Sequence, residues 1–237
     1  MSAFVIKLIA IVTMVIDHIG LFFFPHVTFL HLIGRTSFPL FAWLIANGAR
    51  HTKNIRRYFL RIFLFAVISQ VPFFFAHRLL DPHFSSMNVL FTLFIGLLVI
   101  MVIRQTDRKS LWFISFIVGC LVANFLHMDY GAMGVLSIVS FYFFYRKFVY
   151  LVVSQLFILG VLPWIVFFME QSTRIPLDLV YYDNLYEIAG ILSLLFIGFY
   201  NKKRGFPAKY IFYVFYPLQY AIIYLIYLSW FSGRNGL

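Results

Sequence analysis

Long apolar segments recur along the whole of this 237-residue chain, and they restrict it to very few kinds of fold. The longest runs reach the roughly 20 residues that a helix needs to cross a hydrocarbon core about 30 Å thick. The composition agrees, because 63% of the residues are hydrophobic and only 11% are charged, against roughly 25% charged residues in soluble domains. The sequence therefore predicts an all-α, polytopic transmembrane helix bundle.

Charged residues and clusters of Pro, Gly and Asn divide the chain into about nine spans, with eight or ten as alternatives. The predicted spans are residues 4–24, 28–49, 58–77, 88–103, 111–127, 131–145, 148–169, 185–200 and 208–231. The fourth, sixth and eighth are short, so they could thin the bilayer locally or be re-entrant. The first run is too long for the apolar part of a signal peptide. One integral-membrane domain over 1–237 is expected.

Basic residues are distributed unevenly between the two ends of these spans. With a cytoplasmic N-terminus, fifteen of the nineteen Lys and Arg residues fall on the cytoplasmic side and three on the outer side. The residues assigned to the outer side are Arg78, Arg174 and Arg234, with the acidic Asp81, Asp129, Glu170, Asp178, Asp183 and Glu187. This is the positive-inside pattern. The net charge of +11 thus reflects orientation in the membrane, and no nucleic-acid partner is predicted.

Ionisable residues interrupt the first two spans. Asp17 and His18 lie about seven residues below the outer end of the first helix, and Arg35 lies equally deep in the second, roughly 10 Å beneath the surface at about 1.5 Å per residue. Gln70 falls at the same predicted depth in the third span. A charged group in the bilayer core costs about 2.5–3.5 kcal/mol. We therefore expect these side chains to face the interior of the bundle and to form a site there.

A purely structural alternative is an ion pair of Asp17 with Arg35 that joins the first two helices. Against it stands His18, because a histidine titrates near neutral pH and suits proton transfer. The side chains of Asp17 and His18 diverge by about 100° on a helix, so a site shared by both needs other helices. Pro39 removes a helical hydrogen bond near Arg35. This change fits a kink or cavity that belongs to the site and fits an ordinary proline kink equally well.

A dense basic loop, "RHTKNIRRYFLR", follows the second span. Arg50, Lys53, Arg56 and Arg57 form a candidate binding site for the phosphates of a soluble cofactor. The alternative is a role in orientation and in contacts with anionic lipid. The histidines outside the first span show no ligand spacing, so no metal site is predicted. Cys120, within a span, is read as a small buried residue.

Six segments in order resemble the TraX family of membrane proteins, from about Leu8 to Tyr220. They are "LIAIVTMVIDHIG", "IGRTSFPLFAWLIANG", "RHTKNIRRYFLRIFLFAVISQVPF", "NVLFTL", "DYGAMGVL" and "KYIFYVFYPLQY". That family is similar to a broader group of transmembrane acyltransferases, and its best-known role is acetylation of the N-terminal amine of pilin subunits. The resemblance implies a multi-pass enzyme of the bacterial inner or cytoplasmic membrane. Acetyl-CoA would be the cytoplasmic co-substrate, and an exported protein or glycan would be the acceptor at the outer side, in contact with membrane lipid.

The resemblance also implies roles for individual residues. The matching positions are Asp17, His18, Arg35, Phe38, Pro39, Asn88, Asp129 and Tyr130. His18 is expected to act as a general base or to carry the acyl group, with Asp17 setting its charge or geometry and Arg35 stabilising an oxyanion. The substrate-binding candidates are Gln70, Asn88, Asp129 and Tyr130. Gln70 stands where the family often has a glutamate, and Gln219 stands where "YPLH" is common; either departure could alter acceptor choice or signal reduced activity.

Two other functions fit the same residues. A proton-coupled small-molecule transporter could use Asp17, His18 and Arg35 as a relay, although the sequence shows no convincing internal repeat of the kind that many transporters have. A non-catalytic membrane assembly factor is the other alternative. The sequence leaves the acceptor, the acyl chain length and the oligomeric state open.

Overall fold

The computed structural model describes residues 1–170, 187–207 and 209–232. Its helices are α1 (Ala3–Phe23), α2 (Thr28–Gly34), α3 (Ser37–His51), α4 (Ile55–Arg78), α5 (Val89–Gln105), α6 (Lys109–Phe125), α7 (Gly131–Phe143), α8 (Phe148–Gln155), α9 (Leu162–Glu170), α10 (Glu187–Gly198) and α11 (Lys209–Ser232). A π-helical segment, Leu156–Val161, joins α8 to α9. Among the described residues the only strand-like pairing is one bridge between Met87 and Met128. The predicted all-α fold class is confirmed.

Every predicted span overlaps one of these helices. Among the described residues, five helical stretches are long and apolar enough to cross a membrane: Ala3–Phe23, Thr28–His51, Ile55–Arg78, Phe148–Val166 and Phe212–Trp230. Four apolar helices are shorter: Val89–Gln105, Lys109–Phe125, Gly131–Phe143 and Glu187–Gly198. The count of nine spans and the cytoplasmic N-terminus stay predictions. Four of the residues assigned to the outer side lie outside the described residues: Arg174, Asp178, Asp183 and Arg234. Residues 185, 186 and 208 of the predicted spans also lie outside them.

The outward face of α4 shows why these helices suit a membrane. Leu60, Leu64, Val67 and Val71 recur at helical spacing, and between 46% and 60% of each side chain is exposed. In water such a continuous apolar stripe would be an association or aggregation surface. Within a bilayer the same stripe contacts lipid, so burial of apolar residues inside the protein is not required. The chain is therefore a membrane protein.

One compact unit combines Met1–Leu21, Pro25–His51 and Leu136–Phe206. Trp43 and Phe141 are its largest fully buried side chains. A buried polar network joins α7 to α8: the amide nitrogen of Gln155 donates to the hydroxyl of Ser140 at 2.6 Å, and the amide oxygen accepts from the hydroxyl of Ser137 at 2.8 Å. Because each of these polar groups has a partner, the network can lie in an apolar interior at little cost.

The other compact unit combines Phe22–Phe24, Thr52–Val135 and Pro207–Leu237. Within it α4 packs against α5 and α11, and α5 packs against α6. The ring of Phe65 on α4 stacks on that of Tyr213 on α11, with 5.0 Å between centroids. Gly119 lets α6 approach α5 closely, since a Cβ there would lie 3.0 Å from Val99. Beside this division into two units, the single domain over 1–237 stays a prediction.

Candidate functional site

The catalytic candidates of the first unit gather at a break between α2 and α3. Arg35 and Thr36 occupy the break, and Arg35 itself keeps a helical backbone with φ −59° and ψ −19°. The hydroxyl of Thr36 donates to the Ile33 carbonyl at 2.7 Å, which satisfies one of the carbonyls that a helix end leaves open. Pro39 falls in the first turn of α3, where a missing N–H is tolerated. The residues around Arg35 thus end one helix and begin the next.

Helix α10 packs against this break through Gly190. A Cβ built on Gly190 would lie 3.1 Å from the carbonyl oxygen of Arg35 and 3.3 Å from Cγ of Pro39, so the contact has no room for a side chain. Glu187 lies three residues before Gly190, one helical turn away. The close packing of Gly190 therefore places the Glu187 carboxylate within reach of Arg35.

Arg35 forms an ion pair with Glu187. Nη1 of Arg35 lies 3.0 Å from Oε1 of Glu187, and the two side chains are 27% and 18% exposed. A pair at this distance is a charge-assisted hydrogen bond, stronger than one between neutral groups. The ion pair holds the guanidinium in place, and both side chains remain partly accessible.

A second ion pair joins α1 to α2. Oδ1 of Asp17 lies 3.6 Å from Nδ1 of His31, and the side chains are 22% and 14% exposed. Gly34 permits this contact, because a Cβ on Gly34 would lie only 2.2 Å from that of Asp17. Arg35 also attracts the Asp17 carboxylate electrostatically. The closest charged neighbours thus pair Asp17 with His31 and Arg35 with Glu187, instead of the simple Asp17 to Arg35 link considered from the sequence.

These four residues, Asp17, His31, Arg35 and Glu187, are called the charged cluster below. His31 was missed in the sequence because it lies close to a loop, yet it precedes Arg35 by four residues and therefore shares its helical face. Glu187 was assigned to the outer loop and carried no other signal. His18, half-buried and next to Asp17 on α1, keeps its role as a prediction.

The cluster combines a histidine oriented by a carboxylate with a guanidinium oriented by another carboxylate. The first pair is suited to accept and donate a proton, and the second to stabilise negative charge. Within the part of the chain that the structure describes, no three His, Cys, Asp or Glu side chains are arranged to hold a metal ion.

In the second unit, Gln70 and Asn88 contact each other and the backbone. The amide nitrogen of Asn88 donates to the carbonyl of Ala66 at 2.9 Å and to the amide oxygen of Gln70 at 2.8 Å. Its amide oxygen caps α5 by accepting from the N–H of Leu90 at 3.0 Å. Gln70 in turn donates to the Ser86 carbonyl at 3.1 Å and accepts from the Asn88 N–H at 3.0 Å. We call Gln70, Asn88 and their hydrogen bonds the amide network; these hydrogen bonds attach α5 to α4.

Asp129 and Tyr130 lie in the tight turn between α6 and α7. The Asp129 carbonyl accepts from the hydroxyl of Thr92, and its N–H donates to the Met87 carbonyl at 2.9 Å. Tyr130 has φ +61°, in the left-handed region that residues with a side chain rarely adopt. The Asp129 side chain is exposed and that of Tyr130 is half-buried. Their predicted role in substrate binding stays a prediction, as does that of Gln70 and Asn88.

The basic loop divides into residues with different surroundings. Arg50 donates to the Tyr142 carbonyl, and its guanidinium lies 4.3 Å from the centroid of the Tyr142 ring. Lys53, Arg56 and Arg57 are exposed at the start of α4, where the N–H of Arg57 is capped by the Asn54 side chain at 2.9 Å. The predicted binding of cofactor phosphates by Arg50, Lys53, Arg56 and Arg57 stays a prediction.

The helices and the charged cluster define a class: a polytopic helical membrane protein with a histidine-containing cluster of ionisable side chains at a broken helix. Within that class the chain belongs to the TraX family, since the family model described as "TraX protein" matches residues 2–227. The resemblance that the sequence motifs suggested is confirmed.

Two relatives illustrate the range of the family match. The chain is 29% identical to the "Probable fimbrial assembly protein FimC, serogroup H1" of Dichelobacter nodosus over 238 residues, which cover 94% of each chain. It is also 29% identical to "Uncharacterized protein RP591" of Rickettsia prowazekii (strain Madrid E) over 91 residues, 38% of this chain and 33% of that protein. No solved structure matches the chain. The first relative is therefore similar along its whole length, and the second only in part.

Proposed function

We propose that this chain is a membrane-embedded acyltransferase that moves an acetyl group from acetyl-CoA to an amine or hydroxyl of an exported acceptor. The observation that carries the proposal is the charged cluster, an acid–histidine pair beside an Arg–Glu pair among apolar helices. Ionisable groups in a membrane-spanning bundle are costly and typically mark function. Family membership and the fimbrial relative favour a pilin-like protein as the acceptor, ahead of another exported protein or a glycan.

In the proposed reaction the acceptor amine attacks the carbonyl carbon of the acetyl thioester. The C–N bond forms and the C–S bond breaks; the proton of the amine passes to a histidine and from there to the departing thiolate of CoA. Asp17 beside Nδ1 of His31 favours a proton on that nitrogen, which leaves Nε2 as the basic atom. His18, the base predicted from the sequence, is the competing candidate because it follows Asp17 on α1.

Arg35 is proposed to stabilise the oxyanion that forms when the amine attacks. A guanidinium carries five N–H donors in a planar fork, and the ion pair with Glu187 fixes its orientation before the reaction. Donors that are fixed in advance stabilise developing charge without reorganisation, an effect worth about 10²- to 10³-fold in rate. Glu187 is thus proposed as a positioning residue for Arg35.

The test is acetyl transfer by the purified full-length protein in detergent, from radiolabelled acetyl-CoA to a synthetic peptide with a free N-terminal amine. His31→Gln is expected to lower kcat about 10²- to 10⁴-fold, the usual effect of removing a general base. His26→Gln is the matched control, because His26 is exposed in the loop between α1 and α2. His18→Gln, assayed in parallel, separates the two candidates: loss in His18→Gln alone assigns the base to His18. Wild-type transfer by both variants contradicts the proposal.

The second candidate function is a non-catalytic role in assembly, favoured by the name of the fimbrial relative. Under this function the charged cluster would only join helices. Substituting His18 and His31 would then leave pilus assembly intact in cells, and the purified protein would not transfer acetyl groups to any amine. Mass spectrometry of surface and secreted material, with and without the protein, distinguishes the two functions by the presence or absence of an acetyl group.

A further inference from the structure

The first unit contains a cavity that neither the charged cluster nor the basic loop explains. Its volume is about 640 Å³, within the range of about 300–1,000 Å³ typical of ligand pockets. It lies where the end of α3, the start of α8 and the end of α10 meet. The residues that line it are Trp43, His51, Tyr145, Arg146, Phe148, Leu151, Ile197, Gly198, Tyr200 and Lys202. Gly198 lets α10 approach α8 there, since a Cβ would lie 3.2 Å from the ring of Phe148.

The charge of the lining is positive. Arg146 and Lys202 are exposed cations, and the lining residues that the structure describes include no carboxylate. Nδ1 of His51 lies 2.8 Å from the Asn47 carbonyl, so this nitrogen carries the proton and Nε2 can accept a hydrogen bond, or donate one when the ring is protonated. Cations without nearby acids favour an anionic ligand.

Aromatic rings and an ordered amide form the rest of the pocket. The Trp43 ring, only 2% exposed, supports Tyr200 edge to face at 4.7 Å. The phenol of Tyr145 donates to the amide oxygen of Asn47 at 2.9 Å, and the Asn47 amide nitrogen donates to the phenol of Tyr200 at 3.5 Å. Tyr145, Tyr200 and the 48% exposed Phe148 line the cavity, and aromatic rings are side chains on which a planar base can stack.

Lys202 holds an unusual backbone conformation at the edge of this cavity. Its φ is +61°, in the left-handed region that costs free energy for a residue with a Cβ. The surrounding loop is held by the start of α1, because the N–H of Ala3 donates to the Lys203 carbonyl at 2.9 Å and that of Phe4 to the Arg204 carbonyl at 3.1 Å. Strained residues that the surrounding structure holds in place are concentrated at functional sites.

We propose that this cavity binds the phosphorylated adenosine of a nucleotide, with the base on Tyr145, Tyr200 and Phe148 and a phosphate on Arg146 and Lys202. The assignment rests on the proposed function in one respect, since it makes the nucleotide that of acetyl-CoA. Asn47 and Arg35 are twelve residues apart along α3 and the preceding break, about 18 Å at 1.5 Å per residue. That distance is close to the length of an extended pantetheine arm, so a thioester could reach Arg35 from a nucleotide bound here.

An anionic lipid headgroup shares the phosphate but has no planar base. It would use Arg146 and Lys202 and leave the aromatic rings without a role. The proposal therefore requires that a nucleotide bind more tightly than inorganic phosphate at the same ionic strength, because stacking contributes about 1–3 kcal/mol per base.

The experiment measures binding of adenosine 3′,5′-bisphosphate, which carries neither acetyl group nor thiol, to the purified full-length protein by calorimetry. Lys202→Asn removes the charge and, since asparagine tolerates a positive φ, keeps the loop conformation; it is expected to weaken binding about tenfold. Lys202→Arg is expected to retain binding. Lys203→Asn is the matched control, because Lys203 is exposed in the same loop but does not line the cavity.

Equal loss in Lys202→Asn and Lys203→Asn, no binding by the wild type, or equal affinity for inorganic phosphate would each overturn the proposal. Competition by nanodiscs that contain phosphatidylglycerol, but not by neutral nanodiscs, would assign the cavity to lipid and overturn it as well. The experiment distinguishes failure of this proposal from failure of the proposed function. Bisphosphate binding without acetyl transfer contradicts the acyltransferase function and retains the nucleotide site in the cavity. Acetyl transfer with an unchanged KM for acetyl-CoA in Lys202→Asn retains the enzyme and contradicts the cavity.

Discussion

The charged cluster of the first unit and the amide network of the second are both polar groups among apolar helices, but their partners differ. In the amide network, Gln70 and Asn88 direct most of their hydrogen bonds to backbone groups on α4, α5 and the segment that connects them. In the charged cluster, ionisable side chains pair with one another across α1, α2, the break after it and α10, and between 14% and 27% of each is exposed. Neutral groups that bond to the backbone stabilise a fold at little cost, whereas accessible charges can act on a ligand.

From this comparison we expect that removing charge from the cluster lowers activity strongly and lowers the stability of the protein only modestly. Arg35→Gln is expected to lower acetyl transfer about 10²- to 10³-fold, because an amide has neither the positive charge nor the fixed fork of N–H donors of the guanidinium. The substitution also leaves the Glu187 carboxylate without this cation; for a partly exposed pair the expected loss of stability is about 1–2 kcal/mol, less than for a buried one. Acetyl transfer and thermal unfolding in detergent measure the two effects.

The double variant Arg35→Gln with Glu187→Gln separates stability from chemistry. Two neutral amides can hydrogen-bond each other, so unfolding should return close to that of the wild type while transfer stays low. If the double variant recovers transfer together with stability, Arg35 acts only in the fold, and the cluster resembles the amide network after all.

The next largest effect concerns the contact between α1 and α2. Gly34→Ala would place a Cβ 2.2 Å from that of Asp17, so the helices must move apart and the Asp17–His31 pair must lengthen. Overpacking of this severity is expected to lower the free energy of unfolding by about 3 kcal/mol and to reduce transfer. Gly160→Ala is the matched control in the same unit, because its Cβ would meet only Cδ1 of Ile191, at an ordinary 4.0 Å.

Thermal unfolding of both glycine variants and of the wild type gives the comparison. Equal stability of Gly34→Ala and Gly160→Ala would show that α2 can shift away from Asp17 at no cost. In that case the geometry of the acid–histidine pair is not fixed by this contact.

The sequence predicted the helices well because each apolar run is a local signal for a helix and does not depend on what the helix packs against. It also predicted that Asp17 and Arg35 belong to one site, since both lie seven residues from the same loop. It did not predict their partners. The pairing with His31 and Glu187 depends on how closely the helices approach at Gly34 and Gly190, and hydrophobic periodicity does not specify the distance between helices. The cavity near Lys202 depends likewise on loop conformation, which composition does not specify.

The smallest expected effect tests the amide network at Gln70. A carboxylate accepts but cannot donate, so Gln70→Glu keeps the bonds from Asn88 and loses the one to the Ser86 carbonyl, 3.1 Å away. The expected loss is about 1–2 kcal/mol at neutral pH, because two oxygens then face each other. Thermal unfolding of the variant and the wild type gives the difference.

The same variant distinguishes a structural from a catalytic Gln70. If the network only attaches α5 to α4, Gln70→Glu leaves kcat for acetyl transfer unchanged once the protein is folded. The family resemblance implies a glutamate here in many members, so a rise in kcat would place this residue in the reaction instead. A carboxylate at this position adds a charge and a proton acceptor, so that rise would mean that the residue acts on the reacting groups, and the amide network would then belong with the charged cluster as part of the chemistry.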